Sequence, residues 1–243
     1  MIELDKVTKR FGPKTAVDAL TMTIESGELF AFLGPNGAGK TTTIKMIVGL
    51  LRPDEGTVRV RGKDVLTDSV AAKAHLSYIP DEPYLYDKLT GREFLTFVAR
   101  MYGIDRDQTA AKIEYLTEML SLGDFLDQLT EEYSHGMKQR TVIAAGLVHE
   151  PDVMVVDEPM VGLDPRSSRV VKDLLRDLSD SGVTVFISTH TLAVAEELAD
   201  RIGIIDRGRL IAIGTLEELY AVSGGENGLE KSFLTLTAEE ETS

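Results

Sequence analysis

The first thirty residues alternate between apolar and polar positions. Ile2, Leu4 and Val7, then Ala16 to Leu20, then Met22 and Ile24 are spaced as in half-buried strands. Gly12-Pro13 and Ser26-Gly27 punctuate them as turns. The alternation stops at Leu29–Leu33, a continuous apolar run that predicts a strand buried on both faces. A Gly-rich stretch follows, and Thr42–Leu51 predicts a helix stopped by Pro53. Thr57–Val60 and Leu76–Ile79 predict further short strands.

The period then changes from two to that of a helix. Thr90-Gly91-Arg92-Glu93 fits a capping box, and Phe94, Phe97, Val98 and Met101 follow on one stripe before Gly103. Residues 107–122 predict a second helix with Ile113, Leu116 and Leu120 aligned, and Ser134–Leu147 a third. Strand–helix alternation returns with the buried strand Val153–Val156. Helix 165–180 follows, with Asp164 as N-cap and Pro165 at the first position. Val183–Ser188 predicts a strand, 191–199 a helix, and Ile202–Ile205 with Leu210–Ile213 a hairpin across Arg207-Gly208. Thr215–Tyr220 predicts a short helix with a capping box from Thr215 to Glu218. Residues 223–228 read as a linker to a short acidic tail. Alternation at both ends around a helical middle predicts one α/β domain with a helical insert.

Composition narrows the chemistry. Without cysteine there is no disulfide, thiolate zinc site, iron–sulfur cluster or catalytic thiol. The four histidines, His75, His135, His149 and His190, have no metal-pair spacing. Twenty-six basic against 40 acidic residues give a net charge of −14, which disfavours non-specific nucleic-acid binding. No apolar run approaches the roughly 20 residues of a membrane helix, and the acidic, alternating N-terminus lacks signal-peptide features. The expectation is a soluble, cytosolic chain that reaches a membrane only through a partner. The charge is uneven: residues 1–103 net +1, whereas 104–132 net −6.

Gly34-Pro35-Asn36-Gly37-Ala38-Gly39-Lys40-Thr41 matches the phosphate-binding P-loop pattern, with a buried strand before it and a helix after it. Backbone amides at the helix start would wrap a phosphate. Lys40 would reach the β- and γ-phosphates and Thr41, followed by Thr42, would bind Mg²⁺. Val153–Val156 runs into Asp157-Glu158. An acid at the end of a buried strand beside a P-loop is placed to hold Mg²⁺ through its water shell, which assigns Asp157. Glu158 would face the γ-phosphate and polarise the attacking water.

With these motifs in order, residues 1–220 resemble the ATPase subunits of ATP-binding cassette (ABC) transporters. Tyr133-Ser134-His135-Gly136-Met137-Lys138-Gln139-Arg140 is similar to the family signature, usually Leu-Ser-Gly-Gly-Gln. His135 and Met137 depart from it. The resemblance implies that Ser134 and Gly136 contact the γ-phosphate held by an opposing subunit. It further implies that His190 is the switch histidine and that Asp164, in Gly162-Leu163-Asp164, crosses the dimer interface. Phe11 would stack on adenine with Val17 flanking it. Asp81, in Pro80-Asp81-Glu82-Pro83, stands where the family has a Mg²⁺-ligating glutamine.

The implied fold is a P-loop NTPase (RecA-like) core with an N-terminal antiparallel β-subdomain and a helical subdomain inserted at about residues 85–150. The implied ligands are ATP and Mg²⁺. The implied partners are a second nucleotide-binding subunit, as a homodimer, and a multi-span membrane permease, and the implied location is the cytoplasmic face of the membrane. The signature and the tail segment Leu229–Thr237 resemble exporter subunits for drugs, antibiotics or polysaccharides. An importer subunit and a soluble or hydrolysis-deficient regulatory module remain as alternatives. A chromosome-type member is disfavoured because only 117 positions separate Lys40 from Asp157.

Overall fold

The computed structural model describes residues 1–222, 229–231 and 233. The linker expected at 223–228 and most of the tail segment lie outside the described residues. Strands β1 (Ile2–Phe11), β2 (Lys14–Ile24), β4 (Glu55–Val60) and β5 (Lys63–Asp64) form an antiparallel sheet in the order β2-β1-β4-β5. The second sheet takes β3 (Leu29–Leu33), β6 (Leu76–Ile79), β7 (Val153–Asp157), β8 (Thr184–Thr189), β9 (Arg201–Asp206) and β10 (Arg209–Gly214). Its order is β10-β9-β3-β8-β7-β6, parallel throughout except at the β9–β10 hairpin.

Every residue of β3, β7 and β8 is buried, as their unbroken apolar runs require. Side chains alternate between two cores. Phe30, Phe32 and Phe186 face the antiparallel sheet and helix α1 (Lys40–Ile47). Leu29, Ala31, Leu33, Val185 and Ile187 face a larger core shared with α3 (Gly91–Met101), α4 (Arg106–Met119), α5 (His135–Leu147), α6 (Pro165–Asp180) and α7 (Leu192–Leu198). The aromatic side is close-packed, with Phe186 ring centroids 5.7 Å from Phe30 and 5.6 Å from Phe32.

Local signals place the helices. Thr90 Oγ1 accepts from Glu93 N–H while Glu93 returns a bond to Thr90 N–H, closing the predicted box at α3. Asp164 accepts from Arg166 and Ser167 N–H at the start of α6. Helix α8 (Leu216–Val222) opens on the Thr215–Glu218 box. Two boundaries differ from expectation. The helix after the P-loop starts at Lys40 and ends at Ile47, because the chain turns at Gly49, whose φ is +66°, before Pro53 can act. Strand β5 and the five-residue α2 (Ser69–Lys73) are too short and too exposed to leave a periodic signal.

Helix α5 lies directly on β6. A Cβ at Gly146 would sit 2.3 Å from Ser77 Oγ and 2.7 Å from Ile79 Cδ1, and that Ser77 hydroxyl is buried without a hydrogen-bond partner. Gly146→Ala would gain about 1 kcal/mol of helix propensity. Overpacking costs about 1–3 kcal/mol, so the clash wins. We expect a net loss of ~1 kcal/mol for Gly146→Ala, read as a lower urea midpoint at unchanged slope. Adding Ser77→Ala should recover part of it; a more stable single variant would show that α5 does not press on β6.

Candidate functional site

Parallel register brings separate motifs to one edge of the sheet. Asp157 at the end of β7 pairs with Ser188 of β8, and Ser188 also pairs with Phe32 of β3. Ile79, the last residue of β6, pairs with Val156, so the chain leaves β6 at Pro80-Asp81 beside Asp157. Loops beyond the carboxyl ends of parallel strands are the usual binding edge of such sheets.

The P-loop joins β3 to α1 at this edge. No side chain caps α1, so its first-turn N–H groups are open to a ligand. Gly39 has φ +114°, and a Cβ there would lie 2.6 Å from the Ala16 carbonyl oxygen, so only glycine fits. The backbone of β2 thus touches the P-loop. The β9–β10 turn locks onto both. Gly208 N–H donates to Ala38 O at 2.8 Å, and Asp18 N–H donates to Gly208 O at 2.9 Å.

The cavity over the P-loop holds about 320 Å³ and is lined by Phe11, Lys14, Ala16, Asn36, Gly37, Gly39, Lys40, Thr41, Thr42, Asp81 and Glu158. Gly34 and Ala38 are buried and Pro35 is exposed, and none of the three lines it. Val17 does not face this cavity. Successive side chains on a strand point to opposite faces, so β2 turns Val17 into the core, fully buried, and offers Ala16 instead. Ala16 and Lys14 were not anticipated.

Lys40 is buried at 6% exposure. Its ammonium donates to Gly34 O at 2.7 Å and Pro35 O at 3.3 Å, and lies 3.5 Å from Glu158 Oε1. The same Glu158 oxygen is 2.9 Å from His190 Nδ1. Glu158 has φ +50°, an uncommon conformation for a side-chain-bearing residue, and its N–H is held by Ser188 O and Ser188 Oγ at 3.2 Å each. Such strain persists only where surrounding bonds over-determine it.

Asp157 is almost wholly buried. Ser188 Oγ donates to its Oδ1, whereas Oδ2 has no hydrogen-bond partner. Burial pushes this carboxyl above the ordinary aspartate value. The hydroxyls of Ser188 and Thr41 oppose the rise, and the negative charges of Asp81 and Glu158 add to it. The donors converging here are carboxylate and hydroxyl oxygens, which suit a hard divalent cation. Among the described residues no three His, Cys, Asp or Glu side chains form a cage. Ser188 is a further residue that sequence reasoning missed; its place two before His190 was the available signal.

A second cleft of about 570 Å³ continues past Asp81, Glu158 and His190 to His135, Lys138 and Val161. Ser134 and Gly136 line neither cavity. Ser134 instead caps α5, accepting from Met137 N–H at 3.3 Å, while Met137 Sδ accepts Ser134 N–H at 3.4 Å. Met137 therefore fills the capping-box position. The Ser134 hydroxyl keeps its proton free to donate. Asp164 Oδ2 accepts from Ser167 Oγ at 2.6 Å, in addition to its capping bonds.

Comparison with known proteins gives consistent matches. A family model described as ABC transporter matches residues 17–161. Linearmycin resistance ATP-binding protein LnrL of Bacillus subtilis (strain 168) is 37% identical, over 96% of this chain and 78% of that protein. Nod factor export ATP-binding protein I of Paraburkholderia xenovorans (strain LB400) is 39% identical, over 94% and 75%. A solved ATP-binding subunit of an ABC transporter superposes with a TM-score of 0.91 at 30% identity, covering 98% of this chain and 99% of that one. A dimeric post-hydrolysis ATP-binding cassette bound to ADP and Pi has a TM-score of 0.81 at 25% identity, covering 88% and 98%.

The raised carboxyl of Asp157 has a sign that can be checked. A folded-state pKa above the unfolded one means that ionisation costs stability. The penalty is absent below the ordinary aspartate value of about 3.9, grows as pH rises from there towards the folded value, and is complete above it. Asp157→Asn keeps the Ser188 acceptor and removes the charge. Thermal melts of nucleotide-free protein should show the variant melting higher than wild type at pH 7, with the difference shrinking towards pH 4. A lower melting temperature at pH 7 would contradict this assignment.

Proposed function

Since the chain belongs to the ABC transporter family as an ATP-binding, ATP-hydrolysing subunit, we propose that its catalytic unit is a head-to-tail pair of identical copies. Lys40 and the P-loop amides of one copy hold the ATP phosphates, with Phe11 against the adenine. Ser134 and Gly136 of the other copy close on the γ-phosphate. The observation that carries this reading is the line Lys40–Glu158–His190, with 3.5 Å and 2.9 Å separations at the mouth of the P-loop cavity.

Thr41 and Asp157 would hold Mg²⁺, with Asp81 as a further oxygen donor, and the ion would neutralise charge on the transferring phosphoryl group. Glu158 Oε1 accepts a proton from the attacking water as its oxygen bonds to the γ-phosphorus and the bond to ADP breaks. His190 holds that carboxylate through Nδ1 at 2.9 Å. Lys40, whose ammonium donates to the carbonyls of Gly34 and Pro35 and lies beside Glu158, turns to the β- and γ-phosphates. Ser134 can donate its hydroxyl proton without giving up the cap. Catalysis rests on position and charge.

Among the described residues no helix is long and apolar enough to cross a membrane. The proposed partner is a separate multi-span permease, with this chain on its cytoplasmic face. The resistance and export names of the relatives support export as the direction of transport, with the substrate set by the permease.

Glu158→Gln removes the base and keeps the shape. Steady-state phosphate release should fall about 10²- to 10⁴-fold, while Mg·ATP converts the variant to a stable dimer in size-exclusion chromatography. Lys40→Ala should lose nucleotide binding and dimerisation together. Undiminished turnover by Glu158→Gln would rule out its role as base.

A further inference from the structure

His135 occupies the first position of α5, directly after Ser134. Its Nε2 lies 3.0 Å from the carbonyl oxygen of Val161. A carbonyl only accepts, so Nε2 carries the hydrogen. The ring also rests on Gly162. That residue has φ +71°, and a Cβ on it would stand 2.8 Å from His135 Cδ2 and 3.1 Å from Nε2. One residue on, a Cβ at Gly136 would be 3.4 Å from Ser167 Oγ and 3.6 Å from Leu163 Cδ2. The first turn of α5 is therefore seated on Val161–Leu163 and the start of α6.

That loop leads back to Glu158 by one more bond. Val161 N–H donates to Glu158 O at 3.2 Å. The peptide carbonyl of Glu158, at its strained φ of +50°, is thus held by Val161, and Val161 is held in turn by His135. The amide side of the same residue is held by Ser188. Two braces, one from β8 and one from α5, over-determine the turn that presents the carboxylate.

We propose that His135 is a positioning residue. It donates from Nε2 to Val161 O and so clamps the turn carrying Glu158 to the helix that begins at Ser134. The proposal rests on the functional reading above, in which Ser134 serves the opposite nucleotide and Glu158 its own. On that reading His135 joins the half-site a copy lends to the half-site it keeps. A glycine at this position could not do so, because it has no donor to reach Val161.

The test separates the donor from the bulk. His135→Phe keeps a ring over Gly162 and removes the donor; His135→Gln keeps an N–H at a similar reach and removes the ring. With the purified chain and Mg·ATP, the expected result for His135→Phe is a kcat about fivefold lower, the scale of one net hydrogen bond. Its KM should stay within about twofold of wild type. His135→Gln should return kcat to within about twofold of wild type. Should His135→Phe fail to fold, His135→Ala takes its place with the same readings. Wild-type kcat in the donor-free variant, or a Gln variant as slow as it, overturns the proposal. Lys40→Ala runs alongside. A wild-type rate no higher than that of Lys40→Ala overturns the functional reading and this inference together. A Lys40-dependent wild type beside an unaffected donor-free variant overturns this inference alone.

Discussion

A one-residue slip of β8 against β7 would carry Ser188 away from Asp157 and swing Phe186 into the opposite core. Nothing in polarity forbids that slip, because both faces of these strands are apolar. Size forbids it. The three phenylalanines share one face, and the other face of β3 and β8 carries Leu29, Ala31, Leu33, Val185 and Ile187. Close-packed interiors do not absorb a misplaced ring without strain. The register that this shape-matching enforces is what brings Asp81, Asp157, the Glu158 turn and the P-loop to one place. The chemistry therefore depends on steric sorting of side chains well below it.

Charge is arranged with equal economy around that edge. Asp81, Asp157 and Glu158 are close enough for their fields to add, against the ammonium of Lys40 beside Glu158, while His190 is hydrogen-bonded to the same carboxylate. A polyphosphate adds negative charge to a pocket lined by Asp81 and Glu158, with Asp157 buried beside them. Under the proposed function its entry is tolerable only with a divalent cation, and the buried Oδ2 of Asp157, without a hydrogen-bond partner, is left able to serve one. The neutral balance of residues 1–103 keeps the remaining acidity of the chain away from the cradle.

Much of this was legible because the chemistry is local in sequence. The P-loop is one contiguous stretch between an apolar run and a helix, and the caps at Thr90, Asp164 and Thr215 follow from residue types three positions apart. What was illegible depends on direction or on long-range approach. Val17 and Ala16 are neighbours, and only the face of β2 decides which lines the cavity. Ser188 could be seen as the end of a strand but not as the partner of Asp157, because that requires the β7–β8 register. His135 read as a departure from a glycine pattern. Its bond to Val161, 26 residues away, exists only once α5 is laid across the loop. Met137 likewise departs from a glutamine and still closes the capping box, through sulfur.

The β9–β10 turn bears on how this protein can change over evolutionary time. Two-residue hairpin tips with both residues at positive φ, as at Arg207 and Gly208, are ordinarily exposed and among the easiest places to lengthen a chain. Here the tip is bonded on one side to Asp18 and on the other to Ala38 of the P-loop. Lengthening it would loosen the joint between the antiparallel sheet and the P-loop, and the two ends of the cavity would drift apart. A lineage of such chains has to place its insertions elsewhere, and a variable-length segment at this turn would signal a cassette that no longer works as one piece.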